Sequence, residues 1–212
     1  MRTSICRRVL FAALLVTALR SPWANAQNEP KARSAYMDLA ITYSTEHAQL
    51  APGTCGCFWL QGGGADAALT LWKGFGIAAS VTGGVVSNYA PGVDFSEVSY
   101  LGGLRYTYTV RTRAPRFLRR PRLQVFGDGL FGSAHAFSGA FPSGTVTNVT
   151  ANSFALQTGG GINLFFSKRF AVRLLQVDYV RTQLPNGYDN TQNNLRLGFG
   201  VSYHAASFRF HR

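Results

Sequence analysis

The sequence lacks a long apolar run, has few cysteines and has a low mean hydropathy. Each of these shortages limits the classes of protein to which the chain can belong. Beyond residue 26 it has no run of about 20 apolar residues, which a membrane-spanning helix requires. It has three cysteines, and only two of them, Cys55 and Cys57, lie beyond residue 26. Two thiols are too few for a four-cysteine zinc site. Its mean hydropathy is only +0.01, which suits either a soluble exported sandwich or a membrane barrel whose strands alternate in polarity.

Acidic residues are also scarce, with nine Asp and Glu against 21 Lys and Arg, for a formal net charge of +12. Four of the basic residues precede residue 27, which leaves +8 for the rest of the chain. A basic balance is typical of nucleic-acid-binding proteins. An export signal at the N-terminus argues against that partner, so we expect no nucleic acid.

The first 26 residues have the three parts of a secretory signal peptide. Arg2, Arg7 and Arg8 supply the positive charge, residues 9–19 form the apolar run, and Ala24-Asn25-Ala26 matches an A-x-A cleavage site. This pattern predicts cleavage after Ala26, followed by a short periplasmic segment over 27–34. An exported chain without a helical span can reside in a membrane only as a closed β-barrel.

The clearest strand pattern lies over residues 194–203. Polar or small residues alternate there without a miss against Leu195, Leu197, Phe199, Val201 and Tyr203. A period of two places the two sets on opposite faces of a strand. An arginine on the small, polar face and aromatic residues on the other are typical of a strand whose outer face meets lipid.

Seven further segments repeat this pattern, which predicts an all-β, eight-stranded antiparallel up-and-down transmembrane β-barrel over 35–204 and a C-terminal tail over 205–212. The predicted strands cover residues 35–49, 63–72, 75–86, 97–110, 123–133, 152–165, 170–183 and 192–204. The connections alternate in length. Tight turns at 73–74 and 167–169 separate long links at 50–62, 87–96, 134–151 and 184–191, as in outer-membrane barrels with long external loops. The one exception is the Arg-rich connection over 111–122, which is long but falls on the periplasmic side.

The alternation assigns the side chains to two faces. The predicted lipid-facing residues are Leu39, Ile41, Tyr43, Leu69, Leu71, Leu104, Tyr106, Tyr108, Val110, Phe154, Leu156, Ile162 and Leu164. The predicted lumenal charge network consists of Asp38, Glu46, Asp66, Glu97, Arg105, Asp128, Arg173, Asp178 and Arg196. Arg173 and Asp178 cannot both face inward on strict alternation, so we expect a β-bulge between Leu174 and Leu175. The register of the fifth strand near Phe126, Gly127 and Asp128 stays open.

An eight-stranded barrel has an interior only wide enough for side chains. Inward glycines, Gly103, Gly159, Gly161, Gly198 and Gly200, are expected to make room for the long arginines. The acids and arginines then form an ion-paired plug, because buried charges persist when they are paired. The same network is also compatible with a gate on a narrow water path.

These residues resemble the small eight-stranded outer-membrane β-barrel family typified by the transmembrane domain of OmpA. The resemblance covers nearly all of the exported chain and rests on Gly159-Gly160-Gly161-Ile162-Asn163, Arg173, Asp178-Tyr179 and the run 197–203. That run resembles the C-terminal assembly signal of such barrels. The family usually ends on an aromatic residue, whereas a tail from Ala205 to Arg212 follows here.

Three groups outside the lumen are candidates for chemistry. Cys55 and Cys57, in the first external link, are a candidate loop disulfide, since paired cysteines in an oxidising compartment usually bond. Ser133 and His135 lie two apart at the outer end of the fifth strand, where some relatives in this family carry a lipid A deacylase site. A nucleophile also needs a base oriented by a third group, and no acid is assigned nearby.

The third group is a periplasmic basic patch. Its members are Arg111, Arg113, Arg116, Arg119, Arg120 and Arg122. Its charge suits anionic lipid head groups, and the alternative is docking to peptidoglycan or a periplasmic partner.

The sequence therefore predicts a non-enzymatic barrel of a Gram-negative outer membrane, with a structural or surface-interaction role and specificity in its external loops. A small pore is the alternative, and a lipid A-modifying enzyme is a third. The expected partners are outer-membrane lipids and lipopolysaccharide, the barrel assembly machinery, and an extracellular ligand or host surface. We expect no cofactor and no metal. We also predict that Arg105→Ala or Arg196→Ala destabilises the barrel by leaving acids unpaired.

Overall fold

The protein is described from a computed structural model, which covers residues 34–49, 57–90, 93–111, 122–143, 146–187, 189–205 and 208–209. These residues contain no helix long and apolar enough to cross a membrane. They form antiparallel β-strands joined in chain order into one closed sheet. The strands are β1 (Ser34–Gln49), β2 (Cys57–Trp72), β3 (Phe75–Ala90), β4 (Val93–Arg111), β5 (Arg122–Ser143), β6 (Val146–Phe165), β7 (Phe170–Thr182), β8 (Gln192–His204) and the two-residue β9 (Phe208–Arg209).

The sheet closes because β1 pairs with both β2 and β8, which confirms the predicted eight-stranded all-β barrel. The register path from Tyr36 runs around the wall through all eight strands and returns to β1 at Glu46, ten residues further on. This stagger requires the strands to tilt relative to the barrel axis. One register row therefore climbs along the axis as it circles the barrel.

Two ends of the barrel differ in their connections. At the turn end, where β1 begins and β8 ends, Lys73-Gly74 joins β2 to β3, and both residues have positive φ angles of 47° and 90°. Such two-residue turns match the right-handed twist of the flanking strands. At the other end, called the loop end, lie the connections β1–β2, β3–β4, β5–β6 and β7–β8.

Five of the strands extend further toward the loop end than the sequence predicts. β2 begins at Cys57 rather than residue 63, β3 ends at Ala90 rather than 86, and β5 and β6 reach Ser143 and Val146 instead of 133 and 152. β4 likewise begins at Val93 rather than 97. The predicted long links at 87–96 and 134–151 are therefore largely wrong. The glycine, serine and asparagine residues there resemble loop composition, but cross-strand hydrogen bonding continues through them.

The bulge predicted in β7 is present. Arg173 pairs with Gly200 and Gln176 with Gly198, so the register shifts between Arg173 and Gln176. Leu174 and Leu175 are both exposed, while Arg173 and Gln176 are both buried. In β5 no such shift occurs near Asp128, and both Phe126 and Asp128 are buried.

The predicted C-terminal tail is not wholly outside the sheet. Phe208 and Arg209 form β9, which pairs with Ala35 and Ser34 at the start of β1. The Ala205 amide also donates to the Met37 carbonyl at 2.8 Å. The terminal segment therefore continues along the same edge of β1 that β8 occupies.

Candidate functional site

The outer face of the barrel is apolar over most of its height. The large hydrophobic side chains predicted to meet lipid are exposed or half-buried, and Ile41 and Leu104 are 69% and 70% exposed. Aromatic side chains gather toward the turn end, where Phe75 lies 4.7 Å from Tyr106 and Phe170 5.2 Å from Tyr203 between ring centroids. An apolar band edged by aromatic residues is typical of a barrel in a lipid bilayer.

All nine residues of the predicted lumenal charge network are buried. Three arginine–carboxylate pairs form among them. Arg105 Nη2 lies 2.6 Å from Asp128 Oδ2, Arg196 Nη2 lies 2.7 Å from Glu46 Oε2, and Arg173 pairs with Asp66. Arg105–Asp128 and Arg196–Glu46 join register partners on neighbouring strands, whereas Arg173–Asp66 links β7 to β2 across the interior.

Five of these charges share one register row. The row runs from Arg105 through Asp128, Gly159, Asp178 and Arg196 to Glu46, one residue on each of β4, β5, β6, β7, β8 and β1. Because a register row climbs along the axis, these charges form an ascending line on the lumen wall. The charge network therefore spans a range of depths.

A chain of amide and carboxylate hydrogen bonds links the turn end to the middle of the lumen. At its start, His204 Nδ1 lies 2.6 Å from Asp38 Oδ1. The chain continues through Asp38, Gln124, Asn163, Arg173, Gln176 and Asp178. Side chains joined in this way lie in the narrow interior of an eight-stranded barrel, which is only wide enough for side chains.

An aromatic ring also lies in this network. The guanidinium carbons of Arg105 and Arg173 lie 4.5 Å and 4.7 Å from the centroid of the Phe126 ring. Cations over an aromatic face are attracted by the ring quadrupole, and more strongly where water is excluded. Phe126 thus holds two buried arginines close to the middle of the barrel.

The sequence suggested that the inward glycines make room for arginines, but most of them have a different neighbour. A Cβ atom at Gly161 would approach the Phe126 ring to 2.8 Å, and one at Gly159 would meet Asp178 Oδ1 at 2.2 Å. At Gly103, Gly159, Gly161 and Gly200 it would also meet backbone of the neighbouring strand. These glycines therefore allow close strand approach and leave room for Phe126 and Asp178.

Apolar side chains close the interior at the loop end. This outer apolar cluster has a buried core of Ala48, Leu60, Phe95, Ala136, Phe141 and Leu184. Half-buried Phe58 packs against it, with its ring 5.8 Å from that of Phe95. These residues come from four strands, β1, β2, β4 and β5, and from the β7–β8 connection, so the cluster extends across the interior. The cluster was not predicted from the sequence, because all of its buried residues except Ala48 lie in segments assigned to loops.

The candidate disulfide lies partly outside the described residues, since Cys55 is not among them. Cys57 is the first residue of β2 and is exposed. The pairing of Cys55 with Cys57 therefore stays a prediction.

Ser133 and His135 lie on the outer face of β5 and alternate with the inward residues Ala134 and Ala136. His135 Nδ1 lies 2.6 Å from the side-chain oxygen of Asn152, and its ring stacks against Phe137. The partner of this imidazole is thus the amide oxygen of Asn152 rather than a carboxylate.

Most of the basic patch lies outside the described residues, namely Arg113, Arg116, Arg119 and Arg120. Arg111 and Arg122 are cross-strand partners at the ends of β4 and β5. The Arg122 guanidinium lies 4.8 Å from the Phe165 ring centroid, and its Nη2 donates to the Lys168 carbonyl at 3.2 Å. Arg122 therefore contributes to packing at the turn end.

The β7–β8 connection at the loop end has defined hydrogen bonds. Gln192 accepts from the Leu184 amide and donates to its carbonyl, both at 2.9 Å. Asn186 donates to the Asp189 carboxylate, which lowers the pKa of that exposed group. Within the described part of the chain, no three His, Cys, Asp or Glu residues come together as a metal site.

No family profile matches the chain, and no curated protein matches its sequence. Its fold is similar to Neisserial surface protein A, with 15% identity, 80% of this chain and 96% of the other covered, and a TM-score of 0.48. It is similar to Ail, the attachment invasion locus protein of Yersinia pestis, with 13% identity, coverage of 82% and 100%, and a TM-score of 0.43. It is also similar to the N-terminal β-barrel domain of Pseudomonas aeruginosa OprF, with 13% identity, coverage of 79% and 97%, and a TM-score of 0.40.

Proposed function

We propose that the protein is an integral outer-membrane β-barrel that does not conduct and that acts through its loop end. The observation that carries this proposal is a lumen filled at two levels. Buried arginine–carboxylate pairs occupy its middle, and the outer apolar cluster closes the loop end. The apolar outer face supports residence in lipid, and lipopolysaccharide and phospholipids are then its immediate partners.

The extended strands support a surface role. A tilted strand of 22 residues such as β5 rises about 55 Å, roughly twice the height of the ~25 Å apolar band. The β5–β6 hairpin then projects well beyond the membrane. Exposed side chains on this hairpin, including Val149, are available to an extracellular ligand or host surface.

Single-channel recording on the refolded exported chain in a planar bilayer tests the closed lumen. We expect a folded barrel, verified by its heat-modifiable gel mobility, that gives no reproducible conductance steps. The conductance of a double variant with Arg173→Ser and Asp66→Ser is recorded for comparison. This variant lacks one ion pair but leaves neither charge alone. Reproducible steps from the unmodified chain would instead support the small pore.

Replacement of residues 138–150 by a short Asn-Gly turn tests the surface role. We expect the shortened barrel to fold, because the membrane-spanning part of β5 and β6 stays paired, and to lose adhesion of expressing cells to host cells or matrix. A matched replacement of the Lys73-Gly74 turn by Asn-Gly at the opposite end should leave adhesion unchanged. Equal adhesion by all three proteins would contradict a role for the hairpin.

A further inference from the structure

A small cavity lies in the lumen wall between the ion pairs and the loop end. Its wall includes the register row Ser44, Gly62, Gly84 and Glu97, one residue on each of β1 to β4. Glycine at the two central positions leaves this stretch of wall without side chains. Space for about one water-sized species therefore opens between Ser44 and Glu97.

Oxygen atoms dominate the polar lining of this cavity. The residues that supply them are Ser44, Glu46, Thr82, Glu97 and Ser99. Leu60 and Arg196 complete the wall beside the glycines. Carboxylate and hydroxyl oxygens are the ligands that hard cations prefer.

Glu97 has no partner that accounts for its burial. The residue is 7% exposed, and its Oε1 atom makes no hydrogen bond within the described part of the chain. The arginine in the cavity wall, Arg196, is already engaged, since it donates to Glu46 Oε2 through Nε at 2.8 Å and to Gln157 through Nη1 at 3.2 Å. Removing a carboxylate from water without a partner is costly, so Glu97 is stable there only where a proton or a nearby cation neutralises its charge.

The buried acidic and basic groups can be counted to find the net charge of the lumen and of the cavity. Among the described residues the buried carboxyls are Asp38, Glu46, Asp66, Glu97, Asp128 and Asp178, and the buried guanidiniums are Arg105, Arg173 and Arg196. Acids therefore exceed arginines in the lumen. At the cavity the local set is Glu46, Glu97 and Arg196, which leaves a single negative charge.

We propose that this cavity binds one small monovalent cation, such as Na⁺, between the carboxylates of Glu97 and Glu46 and the neighbouring hydroxyls. A single positive charge neutralises the local set, whereas a divalent ion would leave an excess charge. The cation also supplies a partner for Glu97 Oε1. Binding to the folded barrel stabilises it in proportion to cation concentration, since the unfolded chain has no such site.

Thermal unfolding of the refolded chain in detergent tests the site, with sodium chloride compared with N-methylglucamine chloride at equal ionic strength. The organic cation is too large for the cavity. We expect the unmodified barrel to unfold about 2–5 °C higher in sodium. Glu97→Gln should abolish the difference, while Asp189→Asn, which removes an exposed carboxylate, should retain it.

No sodium effect in the unmodified barrel, or an equal effect in Glu97→Gln, would overturn the proposal. Infrared spectroscopy gives a second result that would overturn it. That result is a protonated-carboxyl band that has the same intensity in both salts and is absent from Glu97→Gln, because a neutral Glu97 needs no cation. If Glu97→Gln fails to fold, sodium-23 NMR of the unmodified barrel decides. Line broadening by the folded but not by the heat-unfolded protein supports the site, and its absence refutes it.

Discussion

Arg173→Ala is expected to destabilise the folded barrel by about 3–5 kcal/mol, because removing one partner of a buried ion pair leaves the other charge uncompensated. Arg173 is 1% exposed, pairs with Asp66 and donates to Gln176 Oε1 at 2.6 Å and to Asn163 Oδ1 at 3.2 Å. Its loss also removes a cation from the Phe126 ring. Urea unfolding in detergent, followed by gel mobility and tryptophan fluorescence, measures the change.

Two further variants separate the ion pair from general damage. Arg181→Ala lies on the same strand with an exposed side chain, and we expect a change within about 0.5 kcal/mol. Arg173→Met combined with Asp66→Leu removes both charges and should recover most of the lost stability. An unfolding midpoint for Arg173→Ala that matches the unmodified barrel would contradict the ion-paired lumen.

Leu104→Arg is expected to destabilise the barrel in a bilayer by about 2–4 kcal/mol, the penalty for a charge on the lipid face near the membrane centre. Leu104 lies on the outer face of β4, between the exposed tyrosines Tyr100 and Tyr106. Val149→Arg is the matched control. Val149 is 67% exposed, close to the 70% of Leu104, but lies on the projecting β5–β6 hairpin.

The two arginine variants should therefore differ although their side chains are equally exposed. We expect Val149→Arg to change the free energy of unfolding by about 0.5 kcal/mol at most. Unfolding of both variants in lipid vesicles provides the comparison. Equal destabilisation would show that exposure alone decides the effect, and would argue against the membrane boundary drawn between these positions.

The inward and outward faces were predictable because they depend only on alternation. A strand places successive side chains on opposite faces whatever its neighbours are, so Asp66 and Arg105 were assigned inward and Leu104 outward from the sequence. The β7 bulge was predictable for the same reason. Arg173 and Asp178 are an odd number of residues apart, and both carry charges that lipid would not tolerate.

The ion-pair partners were not predictable, since they depend on how the strands are staggered. Arg196 meets Glu46 across β8 and β1, and Arg173 reaches Asp66 on β2, which is not a neighbour of β7 in the sheet. The alternation within a single strand does not determine how far neighbouring strands are shifted relative to one another. The strand ends were also missed, because cross-strand pairing beyond the membrane continues through residues such as Asn148 and Thr150 without an apolar outer face.

The pairing of β1 with β8 closes the barrel through contacts far apart in the sequence, from Asp38 opposite His204 to His47 opposite Leu195. Contacts so far apart in sequence form late, because loop-closure entropy opposes them until the rest of the sheet exists. Two of the buried pairs, Glu46 with Arg196 and Asp38 with His204, bridge this one seam. Until the seam forms, these carboxylates have no partner, so a half-assembled sheet gains little by burying them. Completion of the ring is therefore the step at which Glu46 and Asp38 gain these partners, whereas Arg105 and Asp128 pair between β4 and β5 without it.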